Sequence, residues 1–171
     1  MKTLVDEILE IAKSANVTVF FDMDGTCVEY IAGEKNDILS NKPGLYLYKR
    51  PIKTVVKIME KLSKNPNIKI KILSNCHFKE QKEEKILWLQ KNLPFISKED
   101  VHIIVLSEEN YTKETKDFLK AKFILKMNLN SKIFLIEDNL DIIKASRKMG
   151  IDAHHVSRII EWKYISIMKI S

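Results

Sequence analysis

The fold of this chain is decided by one stretch, Val17-Thr18-Val19-Phe20-Phe21-Asp22-Met23-Asp24-Gly25-Thr26. Its first five residues form a short and nearly continuous apolar run. Such a run is typical of a strand that is covered on both faces, as in a parallel sheet. Two aspartates follow the run, with one residue between them. The stretch therefore predicts a buried parallel strand that carries acidic side chains at its carboxyl end.

Helices and strands alternate along the rest of the chain. Further strands are predicted at 68–73, 101–106 and 133–136, with a weaker one at 153–156, and helices within 1–15 and at 52–64, 79–92, 112–126 and 141–149. Gly150 is well placed to end the last of these helices, and a tail helix is expected from Ser157 onward. This alternation predicts an α/β domain, with a Rossmann-like parallel sheet and helices on both faces.

Polar side chains follow the main apolar runs at the point where each predicted strand ends. In an open parallel sheet those ends lie along one edge, where ligands bind. We therefore expect residues that are distant in sequence to converge there, namely Asp22, Asp24, Ser74, Asn75, Glu137 and Asp138.

The pair Asp22 and Asp24 carries the first chemical argument. Two carboxylates so close together repel each other unless a cation neutralises them. Mg²⁺ suits this task, because it prefers oxygen ligands and is typically held by one or two carboxylates and a substrate phosphate. A further carboxylate from Glu137 or Asp138 would complete the site, and a carboxylate can then attack phosphorus directly.

The motif Asp22-Met23-Asp24-Gly25-Thr26 resembles the first motif of the haloacid dehalogenase-like (HAD) hydrolase superfamily, and the resemblance covers residues 17–150. It implies that Asp22 is the nucleophile and Asp24 the general acid and base. Ser74 matches the second motif and would hold a phosphoryl oxygen. The neighbouring Gly25, Thr26 and Asn75 are expected to bind substrate.

The resemblance also implies an acidic pair after a core strand, which Glu137 and Asp138 match. The predicted Mg²⁺ ligands are Asp22, Asp24 and Asp138, with Glu137 as a ligand or as the partner of Asp138. Asp141 is a weaker member of the same cluster.

The resemblance further implies a lone lysine upstream of that strand, whose ammonium group would neutralise the nucleophile and the transferred phosphoryl group. Four lysines compete for this role: Lys113, Lys116, Lys120 and Lys122. We favour Lys116, at the opening of the predicted helix, with Lys113 second.

The space between the motifs bears on the substrate. Residues 27–50 form a small cap-like insert that is too short for a large cap, so one HAD-like domain over 1–171 with an open site is predicted. The Pro43-Gly44 stretch and the acidic motif resemble the 5'(3')-deoxyribonucleotidase branch. The chain departs from that branch at Glu137, where it usually has aspartate, at Asn139, where it usually has arginine, and in its reduced cap.

Aromatic residues in the insert offer a second indication of substrate. Tyr30, Tyr46 and Tyr48 could present flat faces to a nucleobase. We favour the simpler interpretation, that residues 45–48 alternate across a small hairpin.

Composition and charge bear on the partners and the location of the protein. The chain carries 29 lysines and arginines against 23 acids, a net charge of +6, which favours anionic partners. Because the lysines are scattered, the basic excess separates a small substrate from nucleic acid only weakly. A small phosphorylated substrate, and a nucleotide first, is favoured, and nucleic acid stays open as a partner. The two cysteines and the absence of a long apolar run predict a cytoplasmic protein with no membrane partner.

Several functions remain open at this stage. The first is a Mg²⁺-dependent phosphomonoester hydrolase, a 5'(3')-nucleotidase acting on nucleoside monophosphates. A polynucleotide end-phosphatase, a sugar-phosphate phosphatase and an inactive module that binds phosphorylated ligands are the alternatives.

Overall fold

The computed structural model describes residues 2–30, 44–106, 112 and 115–160 of the 171-residue chain. In this part of the chain, five strands form one sheet whose neighbouring strands are all parallel: β1 (Val17–Phe21), β2 (Ile68–Cys76), β3 (Val101–Val105), β4 (Lys132–Glu137) and β5 (Asp152–His155). Their order is β3-β2-β1-β4-β5. The predicted fold class, a Rossmann-like α/β sheet, is confirmed.

Strand β1 lies at the centre of the sheet, and all five of its residues are buried. Phe21, its last residue, is in register with Ile72 of β2 and with Ile136 of β4. Because these strands run in the same direction, the residues that follow them emerge at one edge. This register brings the polar residues at the ends of β1, β2 and β4 together.

Helices cover both faces of the sheet. Their bounds are α1 (Leu4–Ile11), α2 (Lys53–Ser63), α3 (Lys79–Asn92), α4 (Leu119–Lys126) and α5 (Leu140–Lys148). Successive residues of a strand point to opposite faces. Accordingly, Val19 and Phe21 pack in the core under α1, α2 and α3, whereas Phe20 packs in a second core under α4 and α5.

Local signals in the sequence explain where several helices begin and end. Thr3 and Asp6 form a capping box at the start of α1. The side chain of Asn139 accepts backbone N–H groups at the start of α5. Gly150, with a φ of +82°, follows the end of α5 in the left-handed conformation that glycine adopts readily. The prediction that Gly150 ends this helix is confirmed.

Two expectations about local structure are wrong. The helix predicted over 112–126 is a 3₁₀ turn at Lys116–Phe118 followed by α4, which begins only at Leu119. The expected hairpin at 45–48 is a 3₁₀ turn at Leu45–Leu47, entered through Gly44 with a φ of +85°. Tyr46 is therefore drawn inward and buried, instead of alternating with Tyr48 across a ribbon.

Parts of other predictions fall outside the described residues. Of the insert at 27–50, positions 31–43 are not described, and of the predicted tail helix only 157–160 are, where the chain is helical. The single domain over 1–171 thus stays a prediction. Among the described helices, none has both the length and the apolar character needed to cross a bilayer.

Candidate active site

A cleft of about 310 Å³ opens at the carboxyl edge of the sheet, above the ends of β1, β2 and β4. Most of its walls come from polar side chains that follow these strands. The residues that line it are Asp22, Asp24, Tyr30, Ser74, Asn75, His77, Lys120, Glu137, Asp138, Asn139 and Ile142. The structure thus brings together all six residues that were expected to converge.

Asp22 follows β1 and is buried at the base of this cleft. Its Oδ1 accepts a hydrogen bond of 2.5 Å from the ammonium group of Lys120. Burial and the nearby charge of Glu137 raise the pKa of Asp22 to about 6, although Lys120 opposes the shift. The carboxylate of Asp22 is therefore poorly solvated, and its charge is partly compensated by Lys120.

Glu137 is buried beside Asp22 and shares the same lysine. Lys120 Nζ lies 2.6 Å from Glu137 Oε2, while Glu137 Oε1 accepts the backbone N–H groups of Asp138 and Asn139, each at 3.1 Å. Burial would lower the pKa of Lys120, but the two carboxylates outweigh burial and raise it. Lys120 therefore stays charged between Asp22 and Glu137.

The choice of Lys116 as the lysine of this site is corrected by these contacts. Lys116 lies exposed on the 3₁₀ turn and does not line the cleft, Lys122 is also exposed, and Lys113 lies outside the described residues. Lys120 is buried next to Ala121, on the same side of α4 as Ile124. A lysine within the apolar stripe of a helix was the sequence signal that could have identified it.

Asp24 is held by three hydrogen-bond donors. Tyr46 Oη lies 2.6 Å from both carboxylate oxygens, Lys49 Nζ lies 2.6 Å from Oδ1, and Lys85 Nζ lies 2.7 Å from Oδ2. Burial alone would raise the pKa of Asp24, but Lys85 and Lys49 outweigh burial and hold it well below its usual range. Asp24 is thus ionised in this arrangement.

Tyr46 and Lys49 reach Asp24 because α3 holds their segment in place. Glu84 accepts the backbone N–H groups of Gly44 and Tyr46 at 2.5 and 3.4 Å. The indole N–H of Trp88 donates to the carbonyl oxygen of Lys49 at 2.9 Å. The C-terminal end of the insert is therefore fastened to α3 and supplies two of the three groups that contact Asp24.

Lys85 was not among the candidates from the sequence. Its ammonium group contacts Asp24, the Oγ of Ser74 at 2.8 Å and the carbonyl oxygen of Asn75 at 2.5 Å. The side chain is 1% exposed. Lys85 precedes Trp88 and Leu89 by three and four positions, on the buried side of α3, so it also belongs to an apolar stripe.

The predicted substrate-binding residues differ in their placement. Asn75 lines the cleft, and its buried Oδ1 has no hydrogen-bond partner among the described residues. Thr26 is fully buried and does not line the cleft. Gly25 has a φ of +73°, and a Cβ at this position would overlap the carboxylate of Asp138 and the ring of Tyr30. In this structure, the absence of a side chain at Gly25 allows Asp138 to approach the backbone closely.

The metal ligands expected from the sequence are also partly rearranged. Asp22, Glu137 and Asp138 each place a carboxylate oxygen within 4.8 Å of the other two. Three hard oxygen donors at this spacing fit a divalent cation such as Mg²⁺. Asp24 is not in this group, and its carboxylate contacts Tyr46, Lys49 and Lys85 instead. Asp141 is exposed on α5, 3.5 Å from Lys144, and is not in the group either.

The remaining candidates have simpler placements. Tyr30 Oη donates to Asp138 Oδ2 at 3.1 Å. Cys27 and Cys76 are free and buried, and burial raises the pKa of both thiols, which makes them poor nucleophiles. His77 lines the cleft at the end of β2.

Comparison with known proteins gives a likeness of fold only. No protein-family model matches the chain, and no curated protein matches its sequence. Two solved structures of a Pnkp1/Rnl/Hen1 complex, one described as an RNA repair complex, contain a chain that superposes with TM-scores of 0.61 and 0.62 at 16% identity. The match covers 83% of this chain but only 42% and 46% of those chains, so this chain spans less than half of their length.

Proposed function

We propose that this protein is a Mg²⁺-dependent phosphomonoester hydrolase of the HAD-like type that works through an aspartyl-phosphate, with a nucleoside monophosphate as substrate. The observation that carries the proposal is the environment of Asp22. A buried carboxylate at the base of an open polar cleft, paired with Lys120 and sharing the cleft with Ser74, has the surroundings that nucleophilic attack on a phosphate requires.

In the first step, an oxygen of Asp22 attacks phosphorus and the bond from phosphorus to the ester oxygen breaks. The phosphoryl group is then carried by Asp22. The positive charge of Lys120 offsets the repulsion between the carboxylate and the anionic phosphate. The hydroxyl of Ser74 donates to a phosphoryl oxygen and orients the group.

In the second step, water attacks phosphorus and the bond to Asp22 breaks, which releases phosphate and restores the carboxylate. Asp24, which is ionised in this arrangement, takes a proton from the attacking water, and the leaving oxygen of the first step takes its proton from solvent in the open cleft. The low pKa that Lys49 and Lys85 impose on Asp24 leaves this carboxylate without a proton to donate in the first step.

Asp22, Glu137 and Asp138 would hold the Mg²⁺ ion. When bound, the ion supplies positive charge that the phosphate and the three carboxylates share. The negative charge of Asp22 would then be compensated both by the ion and by Lys120. Glu137 is fixed by Lys120 on one oxygen and by two backbone N–H groups on the other, so its geometry does not depend on the ion.

The shape of the cleft supports a small ligand with an accessible phosphate. A volume of about 310 Å³ is near the lower end for sites that bind small organic molecules. Tyr30, 44% exposed at the wall of the cleft, offers an aromatic face to a base. Tyr46 is occupied by Asp24 and Tyr48 does not line the cleft, so Tyr30 is the tyrosine that we assign to this contact.

A polynucleotide end-phosphatase is the second candidate. It is favoured by the net charge of +6 and by an insert at 27–50 that is too short for a large cap, so that the site would admit the terminus of a strand. The structural neighbours belong to a complex described as an RNA repair complex, which agrees with this candidate. Their identity of 16% supports the fold and leaves the substrate to experiment.

The test is a hydrolysis screen with Mg²⁺ against nucleoside monophosphates, sugar phosphates and oligonucleotides with terminal phosphates. We expect release of phosphate, fastest from nucleoside monophosphates, and complete loss of activity in Asp22→Asn. Asp141→Asn is the matched control, because Asp141 is an exposed aspartate outside the acidic group.

Faster turnover of the oligonucleotides, with a KM that rises steeply with salt, would favour the end-phosphatase. If no phosphomonoester is hydrolysed by the unmodified protein, the proposed function is wrong. Undiminished activity in Asp22→Asn would show that the nucleophile is misassigned.

A further inference from the structure

Lys85 connects two parts of the proposed machinery that come from different strands. Its Nζ lies 2.7 Å from Asp24 Oδ2, beyond the end of β1, and 2.8 Å from Ser74 Oγ, on β2. A third contact of 2.5 Å joins Nζ to the carbonyl oxygen of Asn75. The lysine itself comes from α3 and is almost fully buried.

A lysine ammonium has three hydrogens to donate and no acceptor. All three are used here on oxygens of the protein. Lys85 therefore has no donor left for a substrate oxygen, and it does not line the cleft. Any effect of Lys85 on the reaction must act through Asp24 and Ser74.

The contact with Ser74 determines which way the hydroxyl group can be used. A serine hydroxyl can donate one hydrogen bond or accept through its oxygen. Because Lys85 can only donate, Ser74 Oγ must accept in this contact. Lys85 is the one hydrogen-bond partner of Ser74 Oγ among the described residues, so the hydroxyl hydrogen is left to donate elsewhere. Ser74 lines the cleft, where a phosphoryl oxygen would accept that hydrogen.

Lys85 also contributes to the balance of charge in the site. Three lysines contact three carboxylates in the described part of the site: Lys120 with Asp22 and Glu137, and Lys49 and Lys85 with Asp24. Without Lys85, the partly buried carboxylate of Asp24 would lose part of its compensation near the place that a phosphate dianion must occupy.

We infer that Lys85 is a positioning residue of the phosphate site. Its contact with Ser74 turns the hydroxyl group into a fixed donor for a phosphoryl oxygen, and its contact with Asp24 links Ser74 to that carboxylate. The inference rests on the proposed function. It adds a residue, outside the motifs that the sequence displays, through which α3 controls the binding of phosphate.

The experiment is a double-mutant cycle between Lys85→Met and Ser74→Ala, with Lys79→Met as the control for loss of a lysine from α3, since Lys79 is exposed. We expect Lys85→Met to lower kcat/KM about 100-fold in the otherwise unchanged protein, a loss typical of one preorganised donor. In the Ser74→Ala background the same change should cost less than about tenfold, because the hydroxyl it orients is already gone and only its contact with Asp24 is lost. Lys79→Met should leave kcat/KM unchanged.

A second readout does not require turnover. Titration calorimetry with inorganic phosphate, in the presence of Mg²⁺, should show about tenfold weaker binding in Lys85→Met and no further loss in the double variant. Equal effects of Lys85→Met with and without Ser74 would overturn the inference, as would unchanged phosphate affinity and kcat/KM in Lys85→Met.

If Lys85→Met does not fold, Lys85→Arg is the alternative variant. Arginine keeps the positive charge, but its guanidinium group cannot reproduce the contacts of a compact ammonium group. We expect a loss in kcat/KM that again depends on Ser74. If the unmodified protein binds phosphate but hydrolyses no ester, the proposed function fails, while the calorimetric cycle still decides the role of Lys85. If it does not bind phosphate at all, both are wrong.

Discussion

The ammonium nitrogen of Lys120 lies 2.5 Å from Oδ1 of Asp22, although 98 residues separate them along the chain. The same nitrogen lies 2.6 Å from Glu137, so one buried lysine holds acidic groups from the ends of β1 and β4. This contact identifies the lysine that acts on the proposed nucleophile. It also leads to the first of four predictions.

Replacing Lys120 by methionine should lower kcat about 100- to 1000-fold, because the charge that offsets the developing phosphoryl charge is lost. Lys116→Met should have little effect, since Lys116 is exposed and outside the cleft. Steady-state kinetics on the best substrate from the screen checks both. A large loss in Lys116→Met with normal kinetics in Lys120→Met would restore the assignment made from the sequence.

Mg²⁺ should stabilise the folded protein, because the residues proposed to hold it lie at the ends of β1 and β4 and come together only in the native state. At a concentration about 100 times its Kd, the ion should raise the Tm by about 5–10 °C. Thermal unfolding followed by circular dichroism, with and without Mg²⁺, measures the shift. Asp138→Asn should reduce it strongly and Asp141→Asn should not. An equal shift in both variants would place the ion elsewhere.

Gly25→Ala should impair the site by two independent effects. A non-glycine residue is strained at a φ of +73°, and the added Cβ would overlap Asp138 and Tyr30. We expect kcat/KM to fall at least about tenfold and the free energy of unfolding to fall by about 1–2 kcal/mol. Gly150→Ala is the matched control for backbone strain, because a Cβ at Gly150 meets no atom within 4 Å. Similar kinetics in the two variants would contradict a role of Gly25 at the site.

Asp100 gives a prediction about stability and pH, away from the site. It accepts hydrogen bonds from Lys71, Lys69 and Ser97 at 2.6, 2.7 and 2.8 Å. Burial would raise the pKa of Asp100, but these partners outweigh it and lower the pKa. Because the pKa is lower in the folded state, the stabilisation is present above the unfolded pKa near 4 and is lost as the pH falls through the folded pKa.

Asp100→Asn should therefore cost about 2 kcal/mol of unfolding free energy at pH 7 and less at pH 3. Urea unfolding at the two pH values measures the difference. A penalty that stays constant, or grows towards pH 3, would show that the charge of Asp100 does not stabilise the fold.

Much of the fold followed from the pattern of apolar residues. The five-residue run before Asp22 predicted β1 with its observed bounds, and helix α3 begins and ends where its sequence indicated. Strand β1 is readable because a strand that is covered on both faces forms a short and nearly continuous apolar run. The meeting of Asp22, Ser74 and Asp138 at one edge also followed, because parallel strands must place their carboxyl ends together.

The residues that contact Asp22 and Asp24 could not be predicted from the sequence. The sequence indicated a lysine near Asp22 but not which one, because the 3₁₀ turn before α4 changes which side chains face inward. Tyr46 and Lys49 were not predicted to contact Asp24, because residues 45–48 were interpreted as a hairpin. In the structure, contacts with Glu84 and Trp88 hold this segment against α3.

By itself, then, the sequence determined the strand Val17–Phe21 and the acidic motif that follows it, since both depend on local spacing. Only the tertiary structure decided that Lys120 contacts Asp22 and that Tyr46, Lys49 and Lys85 contact Asp24. The physical reason is that a buried charge is stabilised by whichever opposite charge the packing of distant helices brings within hydrogen-bond distance, and sequence spacing does not encode that distance.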